Sequence, residues 1–300
     1  MKKFEEFAED VRYAMAMRYK DDKVTLKRIT KNNGVIYTGI CVRGEKESIY
    51  PTLYLEPFYD ESSDEGVSDE IIDRICDIYE SRRLGSVENL NYLTDYERVR
   101  KSLRCKLINR KNNEEFLKDV PHRPFMDLAI VPYYRIKDCD LGRTIMCEGS
   151  FVIRNSHLDM WKVTAEELVR ESVENTLTME EPVITGMYEL LSRLNPAFKA
   201  CEGEEDLCPM YVMTTGDSYG AVAMLYEDRI RDLCRALDSD VIIIPSSINE
   251  IILIPKKGCI PEEMLNEMVC EVNETEIRPI EVLSDHVYSF ERDGGYRMAG

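Results

Sequence analysis

Pro209-Met-Tyr-Val-Met-Thr-Thr-Gly-Asp-Ser-Tyr-Gly220 opens the stretch whose reading decides the fold. It continues through a helical segment to about Leu237, then into Val241-Ile-Ile-Ile-Pro245 and Ile251-Ile-Leu-Ile-Pro255. Met-Tyr-Val-Met and Val-Ile-Ile-Ile are short apolar runs bounded by turn residues, the pattern of strands buried on both faces. Between them Val222, Tyr226, Ile230, Leu233 and Leu237 recur at steps of three and four, which predicts one helix with an apolar face on that sheet. Val222, Ile230 and Leu233 are expected in the core. Pro245 to Asn249 is a turn cluster joining the second run to the third.

Downstream, Pro261-Glu-Glu leads into a helix with Met264, Leu265, Met268 and Val269 expected inward. Glu276–Leu283 and Val287–Phe290 read as closing strands. The order from Met210 onward is therefore β-α-β-β-α-β, the split pattern of ferredoxin-like folds. The last ten residues, with Gly294-Gly295, read as a frayed end.

At the other end, Phe4, Phe7, Ala8, Val11, Ala14 and Met15 mark an amphipathic first helix. Val24–Ile29 and Val35–Val42 flank Lys31-Asn-Asn-Gly34, a hairpin signal, and Ile49–Leu55 supplies a third strand. Ser68 is placed to cap a helix through about Arg82 with Ile71, Ile75, Ile78 and Tyr79 inward. The fold class is α+β: an N-terminal helix, three-stranded meander and helix, then a C-terminal mixed unit. The divisions are an N-terminal unit over 1–85, a helical connector over 86–125 and a C-terminal domain over 126–300. In the connector Asp95 is expected to cap a helix whose inner face is Val99, Leu103 and Leu107. Beyond it come strands over Asp127–Ile136 and Arg143–Arg154, with Pro132 pushing the first towards a sheet edge or bulge. Thr164-Ala-Glu-Glu167 is a capping box opening a helix striped by Val169, Val173 and Leu177. Pro182 suits the first turn of another helix, ending before Asn195-Pro196.

Several function classes are excluded by composition. Three hundred residues, 44% of them hydrophobic and 32% charged, form a core without staples. A net charge of −18, from 39 basic and 57 acidic residues, argues against a binder of phosphate backbones. No apolar stretch approaches the roughly 20 residues of a membrane span, and Met1-Lys-Lys-Phe4-Glu-Glu lacks the continuous apolar segment of a signal peptide. A cytoplasmic location follows as the expectation. The ten cysteines are scattered with no Cys-x-x-Cys pair, so they read as reduced small hydrophobes, with Cys76 and Cys234 on apolar helix faces.

The hairpin over Val24–Val42, Tyr54-Leu-Glu-Pro-Phe58, the block Thr144-Ile-Met-Cys-Glu-Gly-Ser150 with His157-Leu-Asp-Met-Trp161, and Tyr211-Val-Met-Thr-Thr-Gly-Asp217 together carry a resemblance. The chain resembles, over nearly its whole length, a bacterial family catalogued as domain of unknown function 5688. More remotely, the strand, Thr-Gly-Asp elbow, helix and Val-Ile-Ile-Ile-Pro hairpin are similar to domain of unknown function 1444. The resemblance implies a shared fold and a bacterial or phage-like cytoplasmic setting, and brings no activity or catalytic residues.

Chemistry has few footholds. His122, His157 and His286 share no metal-ligand spacing with any cysteine, and zinc ligands usually arrive as close pairs. No metal or cofactor is expected. Asp217, in the elbow between strand and helix, sits where backbone N–H groups favour an anion, yet neither a Walker loop nor a dinucleotide glycine pattern is present. Its simpler role is a helix cap bonding the N–H of Tyr219 or Gly220. Arg154 and His157 gather near a strand end; an internal ion pair and a place beside Trp161 explain them without catalysis. The carboxylate pairs Glu166/Glu167, Glu180/Glu181 and Glu262/Glu263 fit helix first turns or connections. Two readings stand. The first is a non-enzymatic intracellular binding or adaptor protein with a protein or small-molecule partner, no nucleic acid and no membrane. The alternative is an enzyme of hydrolase type with catalytic candidates His157, Asp217 and Arg154. A pocket joining those three would favour the enzyme; an apolar patch rimmed by charge would favour the binding module.

Overall fold

The computed structural model describes residues 3–44, 50–60, 67–82, 93–136, 149–195, 209–216, 218–258 and 260–298. The chain forms two compact units, one from Met1–Asp95 and one from Tyr96–Ile136 with Gly149–Gly300. The architecture is α+β, beginning with a helix and a three-stranded antiparallel sheet.

In the first unit, helix α1 (Phe4–Arg18) buries Phe7, Ala8, Val11 and Met15, the spacing of one helical face. Strands β1 (Lys23–Thr30) and β2 (Ile36–Arg43) pair antiparallel with Val24 opposite Val42. Asn33 and Gly34 both take positive φ, 58° and 72°, as the tight turn demands. The Lys31 N–H donates to the Val35 carbonyl in the same register as Thr30 with Ile36, so Asn32–Gly34 close the hairpin with three residues rather than two. Strand β3 (Leu53–Tyr54) meets β2 only at Gly39 and Ile40, and α2 (Glu56–Asp60) follows it. Helix α3 (Asp69–Arg82) is capped by Ser68, whose Oγ accepts the Ile71 N–H at 3.3 Å. It buries Ile72, Ile75, Cys76 and Tyr79, while Ile71 and Ile78 lie at the margin of this core. The Tyr79 hydroxyl donates to the Val42 carbonyl at 2.6 Å and accepts the Val42 N–H at 3.0 Å.

The second unit holds two sheets. Helix α4 (Tyr96–Val99) and a 3-10 turn lead into β4 (Leu103–Asn109), followed by α5 (Glu114–Leu117), β5 (Arg123–Phe125), β6 (Leu128–Ile136) and β7 (Gly149–Val152). The helix expected through Leu107 is therefore corrected. Leu103, Cys105 and Leu107 also satisfy a period of two, and pairing with β6 over Leu103–Tyr134 to Asn109–Leu128 makes them a strand. Strand β6 is central, against the expected edge. Its Pro132 is tolerated because β5 partners Leu128 to Ile130 and β7 partners Tyr133 to Ile136, which leaves Pro132 in the gap between them.

Helix α6 (Asn155–Trp161) precedes α7 (Ala165–Met179), whose capping box forms as expected: Thr164 Oγ1 accepts the Glu167 N–H and Glu167 accepts the Thr164 N–H. Its buried face is Leu168, Val169, Ser172 and Thr176, with Val173 packed against the same core; of the predicted stripe only Leu177 is exposed. The buried hydroxyls have partners: Thr176 Oγ1 accepts the Cys105 N–H and bonds the Ser172 carbonyl. After Pro182 comes strand β8 (Val183–Gly186) and only then α8 (Met187–Leu194).

Strand β9 (Tyr211–Thr214), α9 (Glu227–Leu237), β10 (Val241–Ile244), β11 (Ile251–Pro255), α10 (Glu262–Thr275), β12 (Tyr288–Glu291) and β13 (Gly295–Met298) complete the chain. The expected order of elements holds. In the sheet, however, the central pair is the hairpin β10–β11, with β9 beside β11 and β12 beside β10; a ferredoxin-like sheet instead pairs its first and third strands centrally. Glu276 to Leu283 forms turns rather than a strand. The end expected to fray is paired as β13, with Tyr296 packed between Phe125 and Phe290 and its hydroxyl bonded to the Met224 carbonyl.

One helix was expected from the elbow to Leu237, but Gly220–Leu225 is a 3-10 segment and Tyr226 breaks the axis before α9. Ala221, Val222, Ala223 and Met224 are all buried, because this segment packs between the two sheets. Ile230 and Cys234 form the buried stripe of α9, and Leu233 lies at its margin. Among the described residues no helix is long and apolar enough to cross a membrane.

Candidate functional site

At the elbow, β9 ends in Thr214, whose hydroxyl reaches the Asn249 carbonyl at 2.8 Å. Asn249 in turn accepts the Tyr219 N–H at 3.1 Å through Oδ1, a bond expected for Asp217. Tyr219 adopts φ 60°. Gly220 is obligatory by contact: a Cβ there would lie 1.9 Å from Thr214 Oγ1 and 2.3 Å from the Asn249 carbonyl. Asp217 lies outside the described residues. No α-helix starts at the elbow, since α9 begins only at Glu227, so the N–H cradle expected for an anion is not built by a helix N-terminus there. A cleft of about 370 Å³ beside Gly216 is walled by Val183, Thr185, Leu190, Val212 and Thr214. Among its described lining residues Glu250 is the only ionisable one, and its carboxylate accepts the Ser247 hydroxyl at 3.0 Å.

Arg154 and His157 form a second neighbourhood. Strand β7 delivers the chain to Arg154, the N-cap of α6. His157 Nδ1 accepts the Arg154 N–H at 2.9 Å, so the neutral ring carries its proton on Nε2. The imidazole stacks on Trp161 with centroids 5.4 Å apart and lies near Phe151, which stacks on Tyr134 at 4.9 Å. Burial and the Arg154 charge hold its pKa below the ordinary imidazole value. Neither nitrogen is then a free base at neutral pH. Arg154 pairs with Asp119. The place beside Trp161 is thus found, and the ion pair forms at the surface rather than internally, with both side chains more than half exposed.

A third cluster lay hidden in the sequence. Strand β4 is buried on both faces and carries Arg104, 1% exposed, and Lys106, 8% exposed, on one of them. Arg104 Nη1 donates to the Leu103 carbonyl at 2.7 Å, and its Nε stands 3.4 Å from Glu180 Oε1, which also faces Arg135 at 3.4 Å. Lys106 lies over the Tyr219 ring at 4.4 Å, and Tyr219 packs on Tyr133. This array braces β4 against the elbow, with Arg104 and Lys106 buried and Arg135 partly open to solvent.

Helix α10 shows the reverse. Leu265, Val269 and Asn273 face the sheet, where Leu265 and Val269 pack on Ile242, Ile254 and Val287. Met264 and Met268, expected inside, are 52% and 53% exposed, and Val272 is 44% exposed. At 100° per residue these three make a second apolar row on the flank of the buried one. Glu263, Glu267, Glu271 and Glu274 line the adjoining flank. An open cleft of about 810 Å³ follows that flank, bounded by Glu267, Glu271, Glu274, Asp285, His286 and Cys270. Burial and the nearby Asp285 and Glu274 raise the Cys270 pKa, which disfavours the nucleophilic thiolate. Among the described residues no group of three or more His, Cys, Asp or Glu is placed to hold a metal ion. The signal for this surface was present in the sequence as one apolar residue more per turn than a single buried stripe needs.

The fold and these surfaces define an α+β protein whose most accessible chemistry is an acid-flanked apolar helix. The chain belongs to the family of unknown function DUF5688, whose model matches residues 4–292. No curated protein and no solved structure matches it.

Proposed function

We propose that the protein is a non-enzymatic binding or adaptor protein of the bacterial cytoplasm and that α10 carries its contact surface. The observation that supports this is the exposed row Met264, Met268 and Val272. Large apolar side chains left in water along one helix flank are a recognised mark of a protein contact, and methionine adapts its shape to a partner. The catalytic alternative has less support. His157 Nδ1 accepts the Arg154 N–H, Arg154 is paired with Asp119, and neither bonds a residue of the elbow among those described. The test is a photoreactive residue at Met268 or, as control, at exposed Leu177, expressed in the native host. A discrete adduct from position 268 alone is the expected result. No adduct from 268, or the same adducts from both, refutes the assignment.

A further inference from the structure

Helix α10 differs from its neighbours in how its charges are treated. Several helical acids elsewhere meet a base one turn away: Glu9 with Arg12, Glu115 with Lys118, Glu189 with Arg193, Glu227 with Arg231, Asp232 with Arg235. On α10, Glu262 pairs with Lys256 at 2.9 Å. Glu263, Glu267, Glu271 and Glu274 make no ion pair with any described residue, and no Lys or Arg occurs between Lys257 and Arg278. Like charges four apart disfavour a helix by a few tenths of a kcal/mol per pair, so this row is maintained against the helix's own interest. It runs beside the exposed row Met264, Met268 and Val272, with Ile260, 41% exposed, continuing it towards the N-terminus.

Resting on the reading of α10 as the contact surface, we infer that its partner is a basic amphipathic helix. The apolar row runs over nine residues, eight rises of about 1.5 Å or about 12 Å in all, which matches two to three turns of a partner presenting apolar side chains at steps of three and four. The carboxylate row lies along only one side of that track. Lysines or arginines on one edge of the partner would therefore meet Glu263, Glu267 and Glu271, which fixes its direction and steers its approach. A neutral or acidic helix would leave four carboxylates facing an apolar or like-charged surface.

The probe is a fluorescein-labelled 18-residue Leu/Lys peptide with a single apolar face, compared with a scrambled peptide of the same composition and with a Leu/Glu version. Fluorescence anisotropy is read on the full chain at 50 and 300 mM salt. The amphipathic basic peptide is expected to bind at least tenfold more tightly than either control. Glu267→Lys with Glu271→Lys, and separately Met264→Ser with Met268→Ser, should each weaken it at least tenfold. Glu174→Lys with Glu189→Lys, the same charge change elsewhere, should not weaken it beyond twofold. Equal binding of the scrambled peptide, or equal losses in the α10 and control charge variants, would show mere attraction to an acidic protein and overturn the inference. Thermal melts of each variant within a few degrees of the parent establish that losses are not unfolding. A Met268 adduct in cells without peptide binding refutes the basic partner alone; failure of both refutes the surface itself.

Discussion

Replacing Glu180 with glutamine would leave Arg104 as a buried cation without its carboxylate. The Arg104 side chain is 1% exposed and Glu180 is 13% exposed, and Nε lies 3.4 Å from Oε1 with no hydrogen-bond partner of its own. At an effective dielectric of about 20, Coulomb's law gives roughly 5 kcal/mol for that separation. Part of this survives the change, because the Leu103 and Lys101 carbonyls still accept from Arg104 Nη1. The expected loss is therefore about 3 kcal/mol, the lower end for breaking a buried pair from one side. Trp161, the single tryptophan, is buried in the second unit and reports the unfolding of that unit alone. With a urea slope of about 3 kcal/mol/M the midpoint should fall by about 1 M. Arg104→Met combined with Glu180→Leu should recover most of the loss, since the uncompensated charge is gone. A midpoint shift below about 0.3 M for Glu180→Gln would refute the reasoning, as would a double variant no better than the single.

Other consequences follow from single contacts. Gly220→Ala forces a methyl group into Thr214 Oγ1 and the Asn249 carbonyl, so the elbow must move; we expect a loss of at least about 1–3 kcal/mol in urea unfolding, and a neutral result contradicts the packing. Asp127 accepts from Tyr288 at 2.7 Å and Ser284 at 2.6 Å. Asp127→Ala strands the buried Tyr288 hydroxyl and should cost about 1–3 kcal/mol, which Tyr288→Phe in the same background should partly restore. The pKa of His157 is held below its unfolded value of about 6.5. Its contribution is therefore complete above that pH and declines as pH falls towards the folded value. Unfolding midpoints between pH 7.5 and 5.5 should drop more for the parent than for His157→Gln, and parallel profiles would exclude the linkage.

Much of the fold was legible because its signals were local. The turn at Asn33-Gly34, the Ser68 cap and the Thr164–Glu167 box are bonds between residues within three or four positions, and each formed. The buried runs Val241–Ile244 and Ile251–Pro255 needed only composition. What failed was periodicity shared between two patterns: Leu103 and Leu107 fit a helix by steps of four and a strand by steps of two, and pairing with β6 decided it. Arg104 and Lys106 concealed the strand further, because long cations are rarely buried and here Glu180 and Tyr219 accommodate them. Met264 and Met268 were misplaced for the opposite reason. Hydrophobicity says that a residue gains from burial, and the sheet offers α10 only one face. The environment of His157 beside Trp161 was readable from their spacing of four; the Asp119 partner of Arg154 was not, being 35 residues away.

Tyr79 gives the first unit a defence that no strand supplies. Strand β3 accompanies β2 for only two residues, and beyond it the N–H and C=O of Val42 point to the side where a further strand would lie. One phenol hydroxyl occupies both groups at once. An incoming chain seeking to extend that sheet would find the rung already taken, and would have to dislodge a side chain fixed in the core to gain it. The unpaired length of that edge is thus shortened by a buried helix residue, and Tyr79→Phe, which keeps the ring and frees the rung, is the substitution that leaves it open.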